Sequence, residues 1–352
     1  MKYNVFCDLH HAGLLQSLIL LFERRFGGKV YRPIGMDWYT KGYWHVYNHP
    51  ATVEQYLGIG GATPDNTPKL NEVVTRLGNY MYICHDIDSD ETNRAITYDG
   101  FMAMPIDIVI ASLPYHIEPF KKLCAEHPNK PKLIFQIGNN WTSEAGNAPN
   151  IMASAKVDTY PSDINFVQYL QEFDTNIFRP SPILQKKKIT SLVNCFSTDG
   201  LFAEDFRLFE RVERMMPDYT FKAYGAQGRD GCMHGAKQVA GAINDAQFVW
   251  HTKRGGDGYG HIIHNSAYMG KPMIVKKEYY AGKLGEKLMI DGKTVIAIDG
   301  LGPQQIINKI RFYENEIEYR RLCEGVYENA VSHINFDNEA QKIQVFLANL
   351  KP

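Results

Sequence analysis

Apolar runs and polar breaks alternate along this chain in a regular rhythm. Residues 3–7 form a short apolar run that predicts a buried strand, and residues 8–13 are the loop behind it. Leu14, Leu15, Leu18, Ile19 and Phe22 then recur at helical spacing up to residue 26, where Gly27 and Gly28 stop the helix. Residues 29–33 predict a second strand, so the chain opens strand–helix–strand, the unit of a doubly wound α/β domain. The rhythm resumes with a strand at 106–112, a helix at 117–127 with Pro119 in its first turn, and a strand at 132–137. A strand at 151–157 and a helix at 164–173 complete this half.

Prolines 180 and 182, followed by Lys186, Lys187 and Lys188, predict a stiff solvated linker and a domain boundary near residue 185. Strands at 189–196 and 219–224 follow, with an amphipathic helix at 203–216 between them that Pro217 ends. A helix at 234–244 leads to a strand at 248, a helix at 261–269 and a strand at 273–275. A last strand pair is expected within 286–298, one long helix at 303–327 and a terminal helix at 338–350.

Composition narrows the class. The 352 residues suffice for two domains, and 44% hydrophobic with 22% charged residues is the balance of a globular protein. Six scattered cysteines without a C-x-x-C pair point to free thiols in a reducing compartment and away from a disulfide framework or zinc cluster. Met1 is followed by a strand-like run rather than a basic and then apolar leader, so a cytoplasmic location is expected. No apolar stretch approaches the roughly 20 residues of a transmembrane helix. The formal net charge is −1, which provides no global attraction for a polyanion.

The most informative stretch is 248–275. An apolar run ends in Thr252, Lys253 and Arg254; Gly255, Gly256, Gly258 and Gly260 follow, with Asp257 and Tyr259 among them, and a helix begins at His261. Glycines before a helix let a ligand approach bare backbone, and the positive end of the helix suits a phosphate. Two cations at the same mouth make a diphosphate the expected ligand.

This stretch resembles the donor motif of GT-B glycosyltransferases, roughly E-G-F-G-x-x-x-x-E-A-M-x-x-G-x-P. Asp257, Gly258, Tyr259 and Gly260 stand where E-G-F-G would, Asn265, Ser266 and Ala267 where E-A-M would, and Gly270, Lys271 and Pro272 close the motif. Both acidic positions depart from the pattern: Asp257 is a shorter acid, and Asn265 has lost its charge. The resemblance implies an α/β chain of GT-B type, two Rossmann-like domains facing a central cleft. It implies an N-terminal acceptor-side domain at 1–185, a donor domain at 186–335 and a C-terminal helix at 336–352 packing back on the first domain. The implied substrate is a nucleotide-diphosphate sugar, with no further cofactor and no metal required. Lys253, Arg254, Gly260 and His261 would meet the diphosphate, Asp257, Gly258 and Tyr259 the sugar, and Asn265 the ribose. Gly225 and Gln227 would lie near the base.

For catalysis, Asp8, His10 and His11 occupy the first strand–helix loop, where several inverting GT-B families carry a catalytic His or Asp. Gly13, Trp38, Tyr39, Asn139 and Asn140 are the acceptor-side candidates, and the ring-dense segment 36–47 also reads as a core lid. Asp86, Asp88 and Asp90 alternate as in a metal-binding D-x-D, and equally as in a solvated acidic loop. His261 and His264 share a helix face but have no evident third ligand.

The acceptor stays open between a glycan, a small molecule and a modified pyrimidine in phage DNA. Residues 1–185 hold 15 Lys+Arg against 19 Asp+Glu, a balance of 15 − 19 = −4, where a DNA-gripping half would be basic. Two alternatives use the same fold: a nucleotide-sugar epimerase, for which Asp86, Asp88 and Asp90 are the available carboxylates, and a non-catalytic nucleotide-sugar binding module.

Overall fold

A computed structural model describes residues 2–8, 12–35, 37–43, 46, 94–138, 143–233 and 235–352, with only the backbone of Ala12 and Tyr39. The chain divides into two compact units, Met1–Phe173 with Phe336–Pro352, and Asp174–Asn335.

The first unit is a seven-stranded sheet of order β3-β2-β1-β4-β5-β6-β7, parallel throughout. Its strands are β1 (Asn4–Cys7), β2 (Lys29–Pro33), β3 (Ala95–Ile96), β4 (Ile108–Ala111), β5 (Lys132–Ile137), β6 (Asn150–Ala153) and β7 (Asn165–Gln168). Strands buried on both faces read as continuous apolar runs, which is why β1 and β4 were legible. Helix α1 (Ala12–Ile19) widens its ladder into a π turn at Leu20–Arg25, where the Phe26 amide donates to Leu21 O, five residues back, at 3.1 Å. Gly28 follows so closely under the first strand that a Cβ there would lie 2.1 Å from Tyr3 O. Among the described residues, helices α2 (Asp37–Thr40), α3 (Tyr98–Ala103) and α4 (Ile117–Glu126) follow before the terminal helix.

The segment expected as a helix at 164–173 is instead the edge strand β7. Ile164, Val167 and Phe173 are buried and mimic a helical stripe, but Asn165–Gln168 pairs in register with Asn150–Ala153.

The second unit is a five-stranded parallel sheet of order β12-β11-β10-β8-β9. Its strands are β8 (Lys188–Leu192), β9 (Thr220–Tyr224), β10 (Phe248–His251), β11 (Met273–Val275) and β12 (Val295–Ala297). The helices are α5 (Ala203–Met215), α6 (Ala236–Asp245), α7 (His261–Tyr268), α8 (Pro303–Phe312) and α9 (Glu316–His333). Two expectations change here. Only β12 forms within 286–298, because Leu284–Leu288 is a 3₁₀ turn. The long helix is two, since Asn315 caps α9 by accepting from the amides of Ile317 and Glu318.

The divide between the units falls at 173/174 rather than near 185. The proline segment belongs to the second unit: the Ser181 amide donates to Met269 O at 2.9 Å, and Gln185 Nε2 to Tyr313 O at 3.0 Å. The last helix, α10 (Phe336–Ala348), groups with the first unit. Its Phe346 carbonyl accepts from Asn165 Nδ2 at 3.1 Å, and Phe336 meets the Phe173 ring edge-on. Among the described residues no helix is long and apolar enough to cross a membrane.

Phe209 is the centre of the second core, fully buried among Phe196, Phe206, Phe221 and Trp250. Phe209→Ala is expected to cost about 3–5 kcal/mol in urea unfolding. Phe312→Ala, at a ring 57% exposed, should stay within about 0.5 kcal/mol of the parent.

Candidate functional site

In an open parallel sheet, ligands bind beyond the carboxyl ends of the strands where the strand order reverses. In the second unit that point lies between β8 and β10, because β9 follows β8 on one side and β10 pairs on the other. His251 is the last residue of β10 and is almost fully buried. Its Nε2 lies 2.9 Å from Asp257 Oδ2, and Lys253 Nζ bonds Asp257 Oδ1. Burial alone would raise the Asp257 pKa, but the His251 hydrogen bond and the His251 and Lys253 charges win and hold it well below the usual carboxylate range. Asp257 is therefore a fixed, ionised acceptor just ahead of α7.

The loop takes left-handed backbone at Gly255, Gly256 and Gly260, and at the last two a side chain would also meet neighbouring atoms. Gly256 has φ 65° and a Cβ there would lie 2.1 Å from Tyr279 O. Gly260, the cap of α7, has φ 77° and a Cβ would press on Ile263 and Asp257. His264 donates from Nδ1 to Gly260 O at 3.0 Å and stacks on Tyr259 at 4.2 Å, which locks the cap. Burial lowers the His264 pKa to about 4, so this imidazole is neutral at pH 7. Tyr259 is buried in that stack, and Gly258 is buried beside it. The ring is taken up in packing, and the sugar contact expected of this stretch is one of its backbone N–H groups.

His261 and Asn265 lie one turn apart on α7. Asn265 is 5% exposed, and its Oδ1 has no hydrogen-bond partner among the described residues. A buried amide oxygen without a donor is costly, and a ligand hydroxyl would satisfy it. The two expected phosphate cations already have carboxylate partners: Lys253 on Asp257, and the exposed Arg254 on Glu204. Gly225 has φ 137° and sits against Val193 O, while the exposed Gln227 has φ 62°, so the turn after β9 is tightly wound.

Sequence reasoning missed a second charged group on this edge. Lys276, just past β11, reaches buried Asp205 at 2.8 Å, and Tyr279 Oη donates to the same oxygen at 3.1 Å. Burial opposes the Lys276 charge, and the Asp205 bond more than offsets it, raising the pKa. No local pattern links two residues 71 apart. His251 was missed too, although a histidine closing an otherwise apolar strand is a readable signal.

In the first unit the reversal lies between β1 and β4. Asp8, directly after β1, is 2% exposed and bonds Ser112 directly after β4. Asp8 Oδ2 accepts from the Ser112 amide at 2.8 Å and lies 2.7 Å from His116 Nδ1; Oδ1 accepts from Ser112 Oγ at 2.5 Å. Asp8 is thus a buried tie, not an open base, and His116 and Ser112 are its unpredicted partners. Of the two readings of segment 36–47, Trp38 follows the core one: it is fully buried, stacked on Phe6 at 4.9 Å, with Nε1 donating to Ile96 O. Gly13, in α1, is half-buried. His10, His11, Asn139, Asn140, Asp86, Asp88, Asp90 and the Tyr39 side chain lie outside the described residues. Among the described residues no group of three His, Cys, Asp or Glu side chains is placed to hold a metal.

His264→Phe keeps the stack and removes the titration. Because burial depresses the folded pKa, the unfolded chain binds the extra proton first. Wild-type stability should therefore fall as pH drops from 6.5 to about 4, and this slope should flatten in the variant when unfolding is followed across that range.

No family model matches the chain, and no curated protein matches it in sequence. Solved structures do match. HepE of Anabaena, determined in complex with UDP and glucose, is 13% identical, with 99% of this chain and 100% of that one covered at a TM-score of 0.57. Sucrose-phosphate synthase of Thermosynechococcus elongatus is 10% identical over 99% and 100% of the two chains, TM-score 0.56. A glycosyltransferase of Rickettsia africae is 10% identical over 98% of each chain, TM-score 0.53. With two parallel Rossmann-like sheets and near-complete coverage of these structures, the chain has the GT-B fold.

Proposed function

We propose that this protein is a nucleotide-sugar-dependent glycosyltransferase whose donor binds at the glycine loop of the second unit. The observation that carries the reading is the fixed Asp257 carboxylate beside the start of α7, with the unsatisfied Asn265 oxygen one turn further along. The diphosphate would lie at the positive end of α7, helped by Lys253. Asp257 would accept hydrogen bonds from sugar hydroxyls, and Asn265 from a ribose hydroxyl. HepE binds UDP and UDP-glucose, which makes UDP-glucose the first donor to test.

In the reaction the bond between the anomeric carbon and the diphosphate oxygen breaks, and the acceptor oxygen forms the new glycosidic bond. The electron pair leaves with the diphosphate, where helix amides and Lys253 would stabilise it. The acceptor proton passes to a base. Since both Asp8 oxygens are filled, His10 and His11 are the groups proposed for that role if configuration inverts.

The test is calorimetric titration of UDP and UDP-glucose, with UDP release from UDP-glucose as the turnover assay. UDP should bind, and Asn265→Ala should weaken it about fivefold, the worth of about one hydrogen bond. A nucleotide lacking both ribose hydroxyls should bind wild type and variant alike. Equal loss for both nucleotides would remove Asn265 from the ribose, and absence of UDP binding would reject the donor site.

A further inference from the structure

The second unit holds a recess of about 470 Å³ that none of the glycine-loop residues lines. One wall is the segment by which the chain enters the unit, with Asn176 and Arg179; the other is α6, with Lys237, Gly241 and Asn244. Met269 lies at the base, at the end of α7 opposite the glycine loop. Lys237, Gly241 and Asn244 are spaced four and three apart, so they share one helix face. Gly241 faces open space, since a Cβ there would meet nothing within 4 Å, so a larger side chain could enter.

The charged residues among those lining the recess are Arg179 and Lys237, and the Asp174 carboxylate is held close by, accepting from the Asn176 backbone amide at 2.9 Å. Arg179 has no carboxylate partner among the described residues. The carbonyl end of α6 would repel an anion, but buried Lys271 covers it, donating to Ala246 O at 2.7 Å and to Asn244 O at 3.4 Å. Two amides, Asn176 and Asn244, supply further donors, and Met269 with neighbouring prolines gives an apolar floor. The volume falls in the range of about 300–1,000 Å³ typical of small-molecule sites and exceeds what a bare inorganic anion fills.

We propose that this recess binds a small organic phosphate monoester, as a site separate from the glycine loop. Arg179 and Lys237 grip the phosphate, the asparagine amides orient it, and the organic body lies on the apolar floor. The proposal stands independently of the donor reading.

Glycerol 3-phosphate and inorganic phosphate are the probes, and thermal unfolding is the readout. Binding to the folded state raises the melting temperature with the logarithm of ligand concentration. The ester should give the larger rise, and saturating UDP should leave it in place. The rise should vanish in Arg179→Ala with Lys237→Ala, and also in Gly241→Met, which keeps both cations and fills only the space. Both variants should melt cooperatively and respond to UDP as wild type does. Three results overturn the proposal: no rise with wild type, a rise abolished by UDP, or a rise that persists in both variants. A missing UDP response would count against the donor site alone.

Discussion

The ion pair that the second unit depends on is a carboxylate held between two bases. Asp257 would be expensive to bury alone, and it is kept ionised by His251 on one oxygen and Lys253 on the other. His251 is fixed because it ends a buried strand, and Lys253 because it begins the turn behind that strand. The same triad marks the route of the glycine loop: between His251 and Asp257 the chain turns through left-handed backbone at Gly255 and Gly256, and Gly260 takes it again at the cap of α7. Helix α7 then starts where the loop leaves it, with the neutral His264 closing the cap. Fold and chemistry share one constraint here.

Sheet topology puts this triad where a ligand would be held. Both units are parallel sheets with one reversal of strand order, and at each reversal a carboxylate is tied to a buried histidine. In the first unit Asp8, Ser112 and His116 stitch together the ends of β1 and β4. In the second unit the pair His251–Asp257 joins a strand to its own following loop. The first tie holds two neighbouring strands, whereas the second shapes a loop. That difference is why the second is the better candidate for ligand contact.

Much of this was legible from residues alone. Buried parallel strands announce themselves as apolar runs, so β2, β5 and β11 match their expected bounds. The glycine spacing before α7 exposed the loop, because glycine is the residue that positive φ demands. Edge strand β7 misled because an edge buries one face and its apolar residues fell at helical intervals. The α8–α9 break was hidden because one asparagine, Asn315, makes it. Side-chain pairings across the fold, such as Asp205 with Lys276, leave no local trace. At Trp38 two readings stood open for a different reason: an indole that suits a sugar also suits a core, and only burial separates the two uses.

The most direct measurement is a crystal structure of the protein grown with UDP. The account predicts the diphosphate against the first turn of α7, with Lys253 alongside and a ribose hydroxyl donating to Asn265 Oδ1. UDP bound elsewhere on the chain, with the glycine loop and Asn265 untouched, would contradict it.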